Sequence, residues 1–250
     1  MKTGLELCFR KGSLNGKFYI QLFEHFIKFE PYSFTKKYTT KPWDEKKHKK
    51  IIANADSEDS LIVDSKNYDL FLTTDTGSKI PHRAVQIAQD SELFLPSNED
   101  VEEITSHQGF VAAYLYDEEY VYVQSTVYSN NMEGRDISMD SIKDTPYRIN
   151  EFRKKEYDIR YNPGRKDLIS NVWLMAAWKM WFGTPFFELV SKERLLSFPD
   201  AIDIKELPNG QIYVKLFERM EESATNDNMD RQRNWRNWLN FDELIKKYSW

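Results

Sequence analysis

The feature that most constrains the fold is the segment 173–188, which reads WLMAAWKMWFGTPFFE. It contains three tryptophans, three phenylalanines and two methionines, and its only charged residues are Lys179 and Glu188. A membrane-spanning helix needs roughly 20 consecutive, largely apolar residues, so this segment is too short and Lys179 interrupts it. Large rings at this density predict a buried element in the core of a packed domain.

The spacing of the rings predicts that residues 168–182 form a helix that is buried on most sides. On such a helix Trp173, Ala177 and Trp181 lie along one stripe. The alanines between the large rings would let neighbouring elements approach closely. The Gly-Thr-Pro sequence that follows would end the helix.

The composition indicates a compact protein with one large domain or two smaller ones. Of the 250 residues, 40% are hydrophobic and 15% are aromatic, which is enough to fill a core and excludes global disorder. Lysine and arginine number 35 against 40 acidic residues, so the formal net charge is -5. Because nucleic acids and anionic membranes are bound through a basic field, this balance predicts that neither is the partner.

The number of cysteines and the first residues of the sequence indicate the cellular compartment. Cys8 is the only cysteine, so an intrachain disulfide framework and a cysteine-based zinc cluster are excluded. The sequence MKTGLELCFRKG has no apolar stretch of the kind found in a signal peptide. These features predict a cytoplasmic protein.

Two parts of the sequence show the same order of patterns. Residues 3–9 alternate as a strand does, a turn with Gly12 follows, and residues 18–30 have helical spacing before Pro31. Residues 157–185 repeat this order of strand, glycine turn and aromatic-rich helix. The order predicts two related units, and a chance similarity is the alternative.

A hairpin is predicted late in each unit. The sequence EEYVYVQS at 118–125 resembles NGQIYVKL at 209–216, and both alternate like a return strand. Asn209-Gly210 is a strong signal for a type I′ turn. The predicted fold class is therefore α+β, with two degenerate strand-helix-hairpin units, antiparallel sheet and packed aromatic-rich helices.

Changes in composition suggest the boundaries of these units. The first unit would cover residues 1–130, with an insertion at about 35–95 where a basic run precedes an acidic one. Residues 131–156 are polar and charged and are predicted to form a connector with at most a short helix. The second unit would cover residues 157–250 and end in an amphipathic helix whose apolar stripe includes Trp235.

No catalytic or metal-binding signature is complete. The turn GSLNGKF at 12–18 lacks the spacing of a phosphate loop, the Asp-Thr-Gly tripeptide of aspartic proteases occurs once, at 75–77, and the histidines have no metal-ligand spacing. We therefore predict no catalytic residue, no metal site and no cofactor. A hydrolase with a site assembled around His82 or His107 and nearby carboxylates is an open alternative.

Clusters of acidic residues are the candidate binding surfaces, because carboxylates speed the encounter with a basic partner. Asp117, Glu118 and Glu119, at the predicted hairpin tip, are the first candidates for partner binding. Glu102 and Glu103 are the second candidates. The alternative is that these clusters are only solvated parts of the surface.

The segment 180–218 combines an aromatic helix end, the link LLSFPDAI and an Asn-Gly hairpin. In this respect the chain resembles the immunity proteins that bacteria encode beside polymorphic toxins. The resemblance implies a non-enzymatic cytoplasmic protein that neutralises a cognate toxin by direct binding, and it assigns no residue a role. It does not account for residues 35–95. A structural protein of a phage or mobile element is a further alternative, and the oligomeric state is left open.

Overall fold

The computed structural model describes most of the chain. The described residues are 2–10, 13, 17–18, 20–21, 31–36, 39–54, 61–65, 68–74, 82–90, 95–131, 137–169 and 172–248, with the backbone alone at 65, 68–74, 82–90 and 130.

Fourteen strands are assigned in the described part of the chain. They are β1 (Lys2–Arg10), β2 (Pro31–Lys36), β3 (Thr39–Pro42), β4 (Leu61–Ser65), β5 (Tyr68–Thr74), β6 (His82–Asp90), β7 (Phe110–Asp117), β8 (Tyr147–Ile149), β9 (Lys155–Tyr157), β10 (Asp167–Ile169), β11 (Val172–Leu174), β12 (Lys179–Phe182), β13 (Asp203–Glu206) and β14 (Ile212–Lys215). Ten of them form one sheet in the order β13-β14-β12-β7-β1-β6-β5-β4-β2-β3, and β8-β9 and β10-β11 form two separate hairpins.

Six α-helices accompany the sheets in the same part of the chain. They are α1 (Glu45–Ala53), α2 (Asn98–Thr105), α3 (Glu118–Ser125), α4 (Lys192–Leu196), α5 (Asn226–Trp238) and α6 (Phe241–Tyr248). All the described strand pairs are antiparallel. The fold is α+β with antiparallel sheets, as predicted. Among the described helices, none has the length and apolar character that crossing a bilayer requires.

The central strand β1 is buried on both faces. It pairs with β6 on one side and with β7 on the other, and residues 3–9 are all buried. The strand predicted from this alternation is confirmed. Gly4 is needed for the packing, because a Cβ atom there would lie 2.5 Å from the ring of Tyr116 on β7.

Different layers cover the two faces of the sheet. Lys179 projects from one face and its Nζ donates a hydrogen bond to Asn98 Oδ1 at 2.8 Å, so α2 covers that face. Phe182 projects from the opposite face, where its ring centroid lies 4.5 Å from Phe186 and 6.0 Å from Trp235 of α5. Side chains alternate between the faces of a strand, so β12 is also enclosed on both sides.

The predicted helix over residues 168–182 is wrong, because this segment forms strands. β10 and β11 make a hairpin, and β12 pairs with β7 on one side and β14 on the other. Trp181 packs against Tyr213 on one face of the sheet, and Phe182 lies on the opposite face. A strand buried on both faces has a continuous apolar run, and such a run does not distinguish it from a buried helix.

The rings of this segment do belong to the core, as predicted. Trp181 is fully buried and Trp178 is 9% exposed, while Trp173 is half-buried and packs against the core. Trp178 Nε1 donates to the carbonyl oxygen of Glu218 at 3.2 Å. Aromatic side chains pack well on a pleated surface, which explains how the rings are buried in strands.

The predicted return strand at 118–125 is wrong, because these residues form α3. Asp117 caps this helix: its carboxylate accepts hydrogen bonds from the N–H groups of Glu119 and Tyr120 at 3.0 and 3.2 Å. Acidic residues in the first turn also favour a helix start, since they interact with the positive end of the helix dipole. These signals outweigh the strand-like alternation that follows. Asp117 therefore lies at a strand-to-helix junction and not at a hairpin tip.

The two predicted units do not have the same order of elements. Residues 118–125 are helical, whereas their predicted counterpart β14 is a strand. Residues 157–185 contain short strands and 3-10 turns where a strand and a long helix are predicted. The segment 35–95 contributes β4, β5 and β6 to the same sheet as β1 and β7. The division into two units and a connector stays a prediction.

The hairpin at Asn209-Gly210 is confirmed, and it joins β13 to β14. Its turn is not type I′, because that turn needs positive φ at both central residues, and only Gly210 has it, at 82°. The predicted C-terminal amphipathic helix is present as two helices. Asn240, with φ 55°, separates α5 from α6, and Trp235 and Leu239 are buried.

The polar connector predicted at 131–156 contains a 3-10 helix at 140–142 and the β8-β9 hairpin. The strand predicted from residue 157 onward ends at Tyr157 and is followed by a 3-10 turn at 159–161. Of the helix predicted over 18–30, residues 18, 20 and 21 are helical, and residues 22–30 lie outside the described part of the chain.

The burial of Trp181 gives a test of the packing. Replacing Trp181 with alanine is expected to lower the free energy of unfolding by about 3 to 5 kcal/mol, because a fully enclosed ring leaves a cavity. Tyr32→Ala is the matched control, since that side chain is 55% exposed and its loss should change stability by less than about 0.5 kcal/mol. Urea unfolding of both variants measures the difference; equal losses would contradict the packing described here.

Candidate functional site

A cleft of about 900 Å³ opens between α3, the 3-10 helix at 140–142 and α5. We call it the acidic cleft, because carboxylates predominate among its charged side chains. The carboxylates are Asp117, Glu119, Asp140, Asp144 and Asp230, and the cations are Lys143 and Arg233. Three negative charges are therefore in excess when all seven groups are ionised.

Asp117 lies at the inner end of the acidic cleft, where β7 passes into α3. Burial raises the pKa of its carboxyl group to about 6, the N–H groups of Tyr120 and Glu119 act to lower that pKa, and the Glu119 charge raises it further. The group is thus held close to its titration point under near-neutral conditions. A cation that entered the cleft would favour the ionised form of Asp117.

The outer carboxylates differ in their surroundings. Asp230 pairs with Arg233, one turn further along α5. Asp140 and Asp144 are exposed, and the described residues offer them no ion pair. As far as the described residues go, these two charges can therefore meet a partner without first breaking an ion pair.

Apolar and hydrogen-bonded side chains line the cleft between its charges. Tyr120 is buried and its hydroxyl donates to Gln232 Oε1 at 2.7 Å. Pro163 is buried, and Ile137 and Met229 are half-buried. An apolar interior bordered by carboxylates suits a basic side chain, whose aliphatic stem packs while its charged end pairs.

The structure brings together only part of the predicted partner-binding set. Asp117 and Glu119 line the cleft, and Glu118 lies in the first turn of α3 without lining it. Glu102 and Glu103 lie on α2, which covers the face of the sheet from which Lys179 projects. They do not line the cleft. The residues that sequence reasoning missed are Asp140 and Asp144, within the predicted connector.

A second group of titratable side chains lies inside the protein, around Glu6 of β1. Glu6 is fully buried, and burial raises the pKa of its carboxyl group to about 7 although Lys166 acts in the opposite direction. Lys166 Nζ lies 3.7 Å from Glu6 Oε2 and 4.5 Å from the centroid of the Trp173 ring. The alternation of Leu5, Leu7 and Phe9 predicted one face of β1 and gave no information on Glu6.

The side chains next to Glu6 indicate that this interior group of titratable residues has a structural role. Cys8 is fully buried, and burial raises the pKa of its thiol above the usual range. Burial likewise raises the pKa of the Tyr114 hydroxyl, which donates to the carbonyl oxygen of Trp173 at 2.6 Å. A thiol must be deprotonated and accessible to act as a nucleophile, so Cys8 does not suit that chemistry.

Of the two histidines of the alternative hydrolase site, only His107 has a described side chain, and it does not line the cleft. The ring of His107 packs against Phe18 and Phe9, with centroids 4.6 and 5.8 Å apart. For His82 only the backbone is described, and the Asp-Thr-Gly tripeptide at 75–77 lies outside the described residues. Within the described part of the chain, no group of three or more histidine, cysteine or acidic side chains is arranged to hold a metal ion.

No protein-family model, curated protein or solved structure matches this chain.

The raised pKa of Glu6 predicts a pH-dependent stability. Because the native state holds this proton more tightly than the unfolded chain, the contribution of Glu6 to the free energy of unfolding falls as pH rises from about 4.5 to about 7. Glu6→Gln removes this loss. Between pH 4.5 and pH 8, the free energy of unfolding of the variant should therefore rise by roughly 3 kcal/mol relative to that of the wild type. Urea unfolding across this range measures the gain.

The matched control for Glu6 is Glu151→Gln, because Glu151 is exposed. Its difference from the wild type should stay constant across the same pH range. A constant difference for Glu6→Gln as well would show that Glu6 ionises normally in the folded protein.

Proposed function

We propose that this protein is a non-enzymatic binding protein that neutralises a toxin, in the manner of bacterial immunity proteins, and that the acidic cleft receives a basic surface of the toxin. The observation that carries the proposal is the convergence of carboxylates from three separate parts of the chain. Asp117 and Glu119 come from the start of α3, Asp140 and Asp144 from the predicted connector, and Asp230 from α5.

Electrostatics supports a basic partner. The cleft has an excess of negative charge, and the whole chain has a formal net charge of -5. Charges arranged this way raise the rate of encounter with a positively charged protein and disfavour acidic ones. A toxin that acts on nucleic acid needs lysine and arginine to bind phosphates, so its functional surface has the complementary charge.

The shape of the cleft suits inhibition by occlusion. Its volume of about 900 Å³ would hold a lysine or arginine side chain beside apolar residues such as Ile137 and Met229, while the exposed Asp140 and Asp144 pair with the surrounding cations. Anchoring residues of protein interfaces are commonly enclosed in such pockets and surrounded by polar contacts. Neutralisation would follow from covering the toxin surface, with no chemical step.

The test begins with the toxin purified from the native host by affinity capture, identified, and assayed alone. Adding the protein should abolish toxin activity at a one-to-one ratio and without turnover. The variant Asp140→Lys/Asp144→Lys should weaken binding at least about tenfold and reduce its salt dependence, because two attractive charges become repulsive. Calorimetry at low and high salt measures both effects.

A matched variant separates the two predicted acidic surfaces. Glu102→Lys/Glu103→Lys makes the same change in net charge on α2, outside the cleft. It should leave the affinity within about threefold of the wild type if the cleft is the binding surface. Loss of binding in this variant, with none in the cleft variant, would assign the interface to α2 instead.

Asp117 adds a pH dependence to the same interaction. A bound cation lowers the pKa of Asp117, so protons must be released on binding below about pH 6 and the affinity should fall as pH falls from 7.5 to 5. Asp117→Asn keeps a residue that caps helices well and should show a weaker fall. Binding measured at both pH values checks this, and identical profiles would remove Asp117 from the interface.

A further inference from the structure

The β8-β9 hairpin holds three large apolar side chains in solvent. Phe152 is 73% exposed, Ile149 is 58% exposed and Tyr147 is 52% exposed. Single exposed apolar residues are common, but a group of them on one projecting element indicates a surface that becomes covered. The base of the hairpin is fixed, because Tyr157 packs with Val123 and Ile142.

The tip of this hairpin is rigid. Asn150 Oδ1 accepts hydrogen bonds from the N–H groups of Phe152 and Lys154, both at 3.0 Å. The backbone N–H groups of Asn150 and Arg153 donate to Lys154 O and Asn150 O at 3.0 and 2.9 Å. Arg153 has φ 58°, a conformation that non-glycine residues seldom adopt. These hydrogen bonds order the backbone of the turn that carries Phe152, which lowers the backbone entropy lost on binding.

The tip is also basic. Arg153 and Lys154 are exposed, and neither has an ion pair among the described residues. Lys155 Nζ lies 4.4 Å from the centroid of the Tyr147 ring. Arg148 is neutralised by Glu156 through two hydrogen bonds of 2.9 Å. Glu151 at the same tip is exposed as well and offsets one of these charges. The tip therefore combines an exposed apolar side chain with a net positive charge, and its complement is an acidic pocket with apolar walls.

The acidic cleft of this same chain has that chemistry. Its walls include Pro163 and Met229, and Asp140 and Asp144 are exposed beside them. The hairpin does not occupy the cleft of its own chain: Pro146, directly before β8, lines the cleft, but none of residues 147–156 does. At about 3.3 Å per residue the tip lies roughly 15 to 20 Å along the chain from Pro146. A second copy can supply the hairpin.

We propose that this protein forms a twofold dimer in which the β8-β9 hairpin of each copy inserts Phe152 into the acidic cleft of the other. Arg153 and Lys154 of one copy then face Asp140 and Asp144 of its partner. In a twofold arrangement each contact occurs twice, so the two insertions reinforce each other. The dimer needs no toxin, but it uses the cleft assigned to the toxin above, and the two interactions therefore compete.

Sedimentation velocity of the purified chain tests the dimer. Across about 1 to 100 µM protein, the wild type should pass from monomer to dimer, and the transition should move to higher concentration as salt increases. Phe152→Ser should raise the dissociation constant at least about tenfold, because it removes the central apolar contact. A wild type that stays monomeric over this range would overturn the proposal.

A charge exchange identifies the surfaces. Arg153→Glu/Lys154→Glu and Asp140→Lys/Asp144→Lys should each be monomeric, because like charges then face each other. An equimolar mixture of the two variants should recover the dimer, since every hairpin again meets a cleft of opposite charge. If both variants remain dimeric, or the mixture stays monomeric, this pairing of hairpin and cleft is wrong.

A control excludes general effects of charge. Lys46→Glu/Lys47→Glu makes the same change in net charge as the hairpin variant, at exposed positions of α1. It should dimerise like the wild type, and loss of the dimer in this variant would overturn the specific contact. Thermal unfolding at about 1 µM protein, where the wild type is still monomeric, should give all variants melting temperatures close to that of the wild type, because the substituted side chains are exposed in the monomer.

Discussion

The burial of β1 on both faces is the constraint on which the rest of the structure depends. Seven consecutive residues of this strand, 3–9, are shielded from water, so the sheet must continue on either side and a layer must cover each face. One of the seven is Glu6, whose burial requires compensation. Lys166 supplies a positive charge from the β10 hairpin, which links the covering layer directly to the central strand.

How far the fold could be predicted depends on whether a segment shows one clear period. Apolar residues alternate along β1, so this strand was predictable. Asn209-Gly210 is a typical turn sequence, so the hairpin was predictable as well. β12 is enclosed on both faces and reads as a continuous apolar run, which a helix would match equally well. For α3, the capping Asp117 was present in the sequence, but the alternation after it pointed to a strand. Local signals at the start of an element were more informative there than its periodicity.

The candidate site was only partly predictable for a different reason. Asp117 and Glu119 stand together in the sequence, and they do line the cleft. Asp140 and Asp144 join them only because the 3-10 helix at 140–142 packs beside α3, and no sequence spacing records that contact. The exposure of Phe152 was equally unpredictable from the sequence, since an aromatic residue ordinarily predicts burial. Sites assembled by tertiary packing require the structure.

The link between Glu6 and the β10 hairpin has a consequence for the order in which the chain folds. Lys166 and Trp173 lie more than about 150 residues after Glu6 in the sequence. Contacts between segments so far apart form slowly, so we expect the hairpin that carries these two residues to cover Glu6 late in folding. Because burial raises the pKa of this carboxyl group to about 7, closing this layer takes up a proton between about pH 4.5 and pH 7. The last stage of folding should therefore slow as the pH rises through this range and stay constant above it.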